Sequence, residues 1–314
     1  MALEARTLNP AQEELLGALR AAPDERPTFD PGVRDALRAD LDEQLAPLVP
    51  MLDTLGIVQL WVSKHRLSAV SGCEVRFLAE EAAGFDGWSV PTARGSVAHR
   101  AIELSMHVRG EPVPEELVDE AIARLTDADT SLGDWLQTVS EGDRADLRCD
   151  AVDRVSSFLE LWPPLQSRWR PRCESKVGAD LLGDRIHLAG KVDLSIGFAD
   201  GMRAGKVLID LKTGGFSPSH LDDLRFYALI ETIKLGVPPR RVGTHYLDTG
   251  KLVPEDVTEA TLAAAARRIA DGVRRWLELR GPDATPVLKP GAACRWCPVL
   301  STCDTGKAHL AVDT

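Results

Sequence analysis

The stretch from Gly190 to Gly214, GKVDLSIGFADGMRAGKVLIDLKTG, decides how the chain is read. Lys191 to Phe198 alternates apolar and polar side chains, the pattern of a half-buried strand. The ADGMRAG segment after it is rich in residues that tolerate positive φ and reads as a turn. Lys206 to Lys212 opens with Val207, Leu208 and Ile209 and reads as a second strand. Two-residue periodicity puts Asp210 and Lys212 on one face of that strand. With Asp193 facing them across the hairpin, two carboxylates and one ammonium converge on a small volume. Carboxylates at close range repel, and one pKa rises unless a cation compensates. Mg²⁺ takes oxygen ligands and keeps several waters, so two carboxylates and a carbonyl suffice to hold it. A hairpin with solvent-facing charges accounts for the same stretch, and the rest of the chain has to separate the two readings.

Composition narrows the choice. The chain has 314 residues, 44% hydrophobic and 27% charged, values of a globular protein with ample core. Its 37 Lys and Arg against 48 Asp and Glu leave a net charge of −11. That argues against indiscriminate coating of nucleic acid and leaves room for a local basic channel. No apolar run approaches the length of about 18 residues that a membrane span needs. The N-terminus lacks the apolar centre of a signal peptide, so a cytoplasmic location is expected. Six cysteines in that compartment read as thiols or metal ligands rather than disulfides.

Residues 1–55 read as a peripheral helical extension, with leucines at helical spacing from Pro10 to Ala22 and from Pro31 to Leu48. A short apolar strand from Ile57 leads to Ser68, read as the cap of a helix carrying Cys73. Residues 91–104 read as a loop and then a helix bearing Gly95 and His99. Residues 112–162 form a helical insertion that the Pro163-Pro164 pair ends. A hairpin through Gly183-Asp184 precedes the GKVD strand. After LIDLKTG comes a helix with Ser217 or Ser219 as its cap and Gly236 as its stop. Two strands joined by Asp248-Thr249-Gly250 follow. In the long helix after Thr258, Arg267, Arg268, Arg274 and Arg275 recur at seven-residue spacing, as a basic stripe or as an ordinary solvated face. The expected fold is α/β: a central mixed β-sheet flanked by helices over residues 56–314, with the insertion and a C-terminal cysteine cap. No G-x-x-x-x-G-K-[ST] motor loop occurs.

Cys294, Cys297 and Cys303, spaced C-x2-C-x5-C, imply a metal. Three thiolates leave one position open, which Cys73 fills if the two regions meet. Four thiolates suit zinc or an iron–sulfur cluster. Cys149 sits in the last helix of the insertion, and Cys173 is expected as buried filler.

Asp193 in GKVD with Asp210-Leu211-Lys212 in LIDLKTG resembles the metal site of the PD-(D/E)XK nuclease superfamily, and most closely its RecB/AddB branch, which includes the CRISPR adaptation nucleases. GSVAHRAIE resembles the first motif of that family. L-S-x-x-S-x-C-x-x-x-F resembles its amino-terminal cysteine motif, with Glu74 and Val75 where many relatives have proline and a basic residue. Tyr227 fits a Q-x-x-x-Y motif whose glutamine position is Asp223 here. Glu174 falls where relatives often carry an acid, and an ordinary strand charge is the expected reading.

The resemblance covers about residues 57–305 and implies a restriction-endonuclease-like core. It implies that Asp193 and Asp210 bind Mg²⁺ or Mn²⁺, that His99 and the Leu211 carbonyl complete the site, and that Lys212 assists catalysis. It implies a [4Fe–4S] cluster on Cys73, Cys294, Cys297 and Cys303, with Zn²⁺ as the alternative. Tyr227, Arg267 and Arg274 are candidate DNA contacts. The implied activity is an exonuclease on single-stranded DNA ends in repair, recombination or defence, served by a separate helicase or repair partner. Two other readings stand beside it: a nuclease-like module that holds DNA without cutting, which Asp223 favours, and a zinc-stapled structural protein.

Overall fold

The computed structural model describes residues 8–84 and 87–312, so residues 1–7 of the expected N-terminal extension lie outside the described residues. The quoted stretch forms two strands of a six-stranded mixed sheet. The strands are β1 (Leu60–Val62), β2 (Arg172–Leu181), β3 (Ile186–Ile196), β4 (Val207–Lys212), β5 (Arg241–Tyr246) and β6 (Lys251–Asp256). Their order is β1-β3-β4-β5-β6, and β2 pairs with β3 along nearly its whole length. β1 runs parallel to β3, and β4 parallel to β5; β3 with β4 and β5 with β6 are antiparallel. β4 lies between two strands and is buried from Val207 to Leu211, which is why its sequence is an apolar run rather than an alternation.

β3 is where the sheet divides. β2 occupies one edge of it. On the other edge β1 pairs only with residues 186–188 and β4 only with residues 194–196. Residues 189–193 therefore face a gap between two diverging strands. Open α/β sheets bind ligands in the crevice where neighbouring strands part, and Asp193 stands at this one.

Helices pack on both faces, and one face of the β1–β3–β2 half stays open. On one side α2 (Val33–Leu45), α10 (Ser219–Leu235) and α11 (Glu259–Glu278) pack on the sheet through Leu41, Leu45, Leu229 and Ile269 against Leu188 and Leu208. α1 (Pro10–Leu19) lies at the α9 side, and α3 (Val49–Thr54) adds Leu52 to the same core as α2. The helices of the N-terminal region are thus packed into the body of the protein. On the other side α6 (Val90–Ser105), α7 (Pro114–Thr126), α8 (Ser131–Thr138) and α9 (Glu141–Leu161) form the expected helical insertion and its neighbour. Their core, with Ala98, Ile102, Leu147 and Val155, packs on Leu194, Ile209 and Leu211.

The region around Cys73 differs from expectation. Ser63, not Ser68, caps the first helix there: its Oγ accepts from the Arg66 N–H at 3.3 Å. The single expected helix is two, α4 (Lys64–Ser71) and α5 (Glu74–Ala83), parted at Gly72. Cys73 is the extended N-cap residue of α5, which frees its side chain from the helix wall. At the other sites Thr258 caps α11 and Gly236 closes α10 in the left-handed conformation. α12 (Asp304–Val312) follows the cysteine-bearing turns. Among the described residues no helix is long and apolar enough to cross a membrane.

Candidate active site

The gap beside β3 holds a small cavity of about 290 Å³ lined by Lys64, His99, Asp193, Asp210, Leu211 and Lys212. The ladder between β3 and β4 stops at Leu194 and Ile209. One step on, the Asp193 side chain takes over: its Oδ2 accepts the Leu211 N–H at 2.8 Å. The Leu211 carbonyl, turned the other way, accepts from His99 Nε2 at 2.8 Å. On α6, Gly95 one turn before His99 lies against the end of β4, where a Cβ would stand 3.4 Å from Thr213 Oγ1.

His99 Nδ1 points at two carboxylates, Glu174 Oε1 at 3.3 Å and Asp193 Oδ1 at 3.5 Å. Ligand atoms of His99, Glu174 and Asp193 all lie within 4.8 Å of one another. Glu174, read from the sequence as an ordinary strand charge, is part of this cluster. It sits in β2 opposite Asp193 with φ +50°, a left-handed conformation that is rare for a residue with a side chain and collects at functional sites. Its other oxygen pairs with Lys191.

Asp210 has a different environment. It is 2% exposed and gripped by two ammonium groups, Lys64 Nζ at 2.8 Å from Oδ1 and Lys212 Nζ at 2.9 Å from Oδ2. Asp223 stands behind both lysines, 3.8 Å from Lys64 and 3.6 Å from Lys212. Ser68 Oγ donates to Asp223 at 3.3 Å, and Arg268 in turn donates to Ser68 at 3.1 Å. The acid at the expected glutamine position therefore offsets a second lysine. Lys64 escaped the sequence reading because nothing local marks it: it is the first residue of a helix after a three-residue strand.

The electrostatics follow. Burial raises the Asp193 carboxyl above its usual range, with protonated His99 opposing the rise and Asp210 adding to it. Burial would raise Asp210 too, but Lys64 and Lys212 overcome it and pull the carboxyl down to about 2. Burial would lower His99; Asp193 and Glu174 override it and push the imidazole up to about 9. Burial works against the Lys64 ammonium as well, and Asp210, Tyr227, Asp193 and Asp223 hold it above its ordinary value.

The donor set suits a hard divalent cation: carboxylates from Asp193, Asp210 and Glu174, the Leu211 carbonyl and an imidazole. The fit has a structural sign. Asp210 Oδ2 is buried and, although near Lys212, has no hydrogen bond of acceptable geometry. His220, also on the cavity wall, bonds the Tyr246 hydroxyl at 3.0 Å.

Other expected residues divide. Tyr227 is 3% exposed, packed beneath Gly190, where a Cβ would collide with its ring; it shapes the floor of the site and presents no outer surface. The basic stripe is not one surface. Arg268 turns inward to Ser68 and Asp222, and Arg275 forks onto Glu74 at 2.8 and 2.7 Å, while Arg267 and Arg274 face solvent. The register explains this: Arg268 and Arg275 share the face of α11 that meets α4 and α5. Glu74 also accepts the Val287 N–H at 2.7 Å, which ties the C-terminal segment to α5.

That tie brings the distant cysteines together. Cys73, Cys294, Cys297 and Cys303 line one cavity of about 330 Å³. Gly291 N–H points at Cys294 Sγ at 3.4 Å and Gly306 N–H at Cys303 Sγ at 3.3 Å. Gly306 lines the same wall, where a Cβ would stand 3.4 and 3.6 Å from the Cys303 and Cys294 sulfurs. Among the described residues no three cysteine sulfurs fall within 4.8 Å of one another. Cys149 is exposed on α9, and Cys173 packs on Met106 at 3.1 Å between sulfurs.

A family model described as the PD-(D/E)XK nuclease superfamily matches residues 62–304. No curated protein matches the chain. Among solved structures, one described as a "Putative exonuclease" from Eubacterium rectale is similar at 13% identity and a TM-score of 0.46, covering 81% of this chain and 89% of that one. The protein named SSO0001 is similar at 12% identity and a TM-score of 0.31, covering 67% and 95%.

Proposed function

The chain belongs to the PD-(D/E)XK nuclease superfamily, and from that premise we propose that it is a Mg²⁺- or Mn²⁺-dependent deoxyribonuclease acting on the ends of single-stranded DNA. The observation that carries the proposal is the meeting of Asp193, Asp210, Lys212, His99 and the Leu211 carbonyl in one cavity at the gap in the sheet.

Asp193, Asp210 and the Leu211 carbonyl hold the cation, with His99 and Glu174 closing the set. The bound cation supplies Lewis-acid polarisation of the phosphate and a water of lowered pKa. The remaining work belongs to the chain. Asp193 keeps the Leu211 amide in place, which aims the Leu211 carbonyl into the cavity. Lys212 lies 2.9 Å from Asp210 and is placed to steady the incoming water or the charge that develops on the phosphate. Lys64, on the other Asp210 oxygen, offers a second ammonium to the phosphate oxygens. Asp223 keeps both lysines oriented.

Cys73, Cys294, Cys297 and Cys303 line one cavity, and its proposed occupant is a [4Fe–4S] cluster, with zinc as the alternative. Its role is to staple residues 291–306 to Cys73. The activity is tested by digesting end-labelled single-stranded and duplex DNA with Mn²⁺, protein purified anaerobically, and Asp210→Ala as the control. Metal-dependent shortening from an end supports an exonuclease. Retention of DNA without cleavage supports the binding-module reading, which the pre-existing Lys64–Asp210 pair favours.

A further inference from the structure

One face of the β1–β3–β2 half of the sheet is left uncovered by helices, and it leads to the cavity. In β3 Ile186, Leu188 and Val192 are buried against the α10 and α11 side, while His187, Ala189 and Lys191 alternate onto the opposite face. Lys176 and Gly178 of β2 stand directly across from Lys191 and Ala189. In β1 Leu60 and Val62 are buried, and Trp61 between them is 60% exposed and pairs with His187. The Trp61 and His187 rings lie 4.3 Å apart, and Asp180 Oδ1 holds His187 Nδ1 at 2.5 Å. The strip between is floored by Gly178, Ala189 and Gly190, and Lys234 from the end of α10 joins its border. From His187 to Asp193 is six residues, about 20 Å of extended chain. Lys191 sits between, and its partner Glu174 also touches His99.

We propose that this strip is a binding track for a single strand of DNA, with a base stacked on Trp61 and phosphates on Lys176 and Lys234, that delivers the strand to the cavity at Asp193. The proposal rests on the nuclease reading for what happens at the end of the track and on the track's own chemistry for the binding. An exposed indole beside lysines is the arrangement that holds unpaired nucleotides: every base offers a π-face, and a duplex keeps those faces buried. The chain carries a net charge of −11, yet lysines border this strip, and its nearby carboxylates, Asp180 and Glu174, are each already paired. The flat Gly and Ala floor lets a backbone lie close to the sheet. A protein partner would find a single large apolar side chain there and little else to bury.

The test uses a 5′-fluorescein (dT)12 strand and fluorescence anisotropy without divalent metal, on the wild type, Trp61→Ala and Lys176→Glu. Trp61→Ala is expected to weaken binding about tenfold, the worth of one stacked base. Lys176→Glu is expected to weaken it and to flatten the salt dependence by about 0.7 in slope, one single-strand phosphate. Both variants should hydrolyse a small thymidine p-nitrophenyl phosphate ester with Mn²⁺ at the wild-type rate, because that substrate is too short to reach Trp61. Equal affinity of wild type and both variants for the strand overturns the track, as does a wild type that prefers duplex or binds neither. Trp61-dependent binding in a protein that cleaves neither DNA nor the ester sustains the track and overturns the nuclease reading alone.

Discussion

Lys64 Nζ lies 2.8 Å from Asp210 Oδ1, although 146 residues separate the two in the chain. Asp210 thereby receives a second cation that the D-x-K spacing does not provide, and Asp223 balances the added charge from 3.8 Å behind Lys64. Lys64 and Asp223 each make the other tolerable in a buried place.

Lys64→Ala should loosen the metal-free protein and strengthen its response to metal. Removing one charged partner from buried Asp210 costs about 1–3 kcal/mol, or several degrees of melting temperature in EDTA. The freed carboxylates then compete better for a cation, so the rise in melting temperature on adding Mn²⁺ should exceed that of the wild type. An unchanged Mn²⁺ response by thermal denaturation would show that Lys64 does not compete at this oxygen.

Asp210→Ala and Lys212→Ala should each lower DNA cleavage about 100-fold or more, the usual loss when a group facing the developing charge is removed. Both should keep the wild-type circular dichroism spectrum, since neither side chain belongs to the apolar cores. Cleavage within a factor of two of wild type in either variant would remove that residue from the mechanism.

His99 should make the metal-free protein sensitive to alkaline pH. Its imidazole, ordinarily near 6.5, is pushed up to about 9 in the fold. A raised folded value means the stabilisation is complete below about pH 6.5 and disappears as pH climbs through 9. The loss amounts to up to about 3 kcal/mol, visible as a falling melting temperature in EDTA that His99→Gln abolishes. Metal needs the neutral ring, so Mn²⁺ affinity measured by calorimetry should rise over the same window.

Protein made anaerobically should be brown and carry about four irons and four sulfides per chain. Cys73→Ser should bleach it as fully as Cys297→Ser, because both line the same cavity. Cys149→Ser and Cys173→Ser should not. One zinc and no iron on elemental analysis would replace the cluster by an ion and require the sulfurs to draw together.

Glu74→Ala should release the C-terminal segment without unfolding the sheet. The Glu74 carboxylate, held below its usual range by the Arg275 fork, also carries the Val287 amide. Limited proteolysis should cut near residues 285–290 in the variant and spare them in the wild type.

The hairpin, the place of Asp210 and Lys212 on one strand, the helices between residues 114 and 161 and the turn at Gly236 were legible in the sequence, because strand alternation, helical periodicity and turn preferences are local. The sequence also pointed to His99 and the four cysteines, which follow motif spacing and lie together in the fold. Three things depended on tertiary structure alone. Glu174 joins His99 only because β2 twists to a positive φ opposite Asp193. Trp61 is exposed only because the helices stop short of that face. Lys64 meets Asp210 only because β1 and β4 leave β3 at different points, and the gap admits the first residue of α4. Side chains on strands far apart in sequence are brought together by register, and register is a property of the whole sheet rather than of any window along the chain.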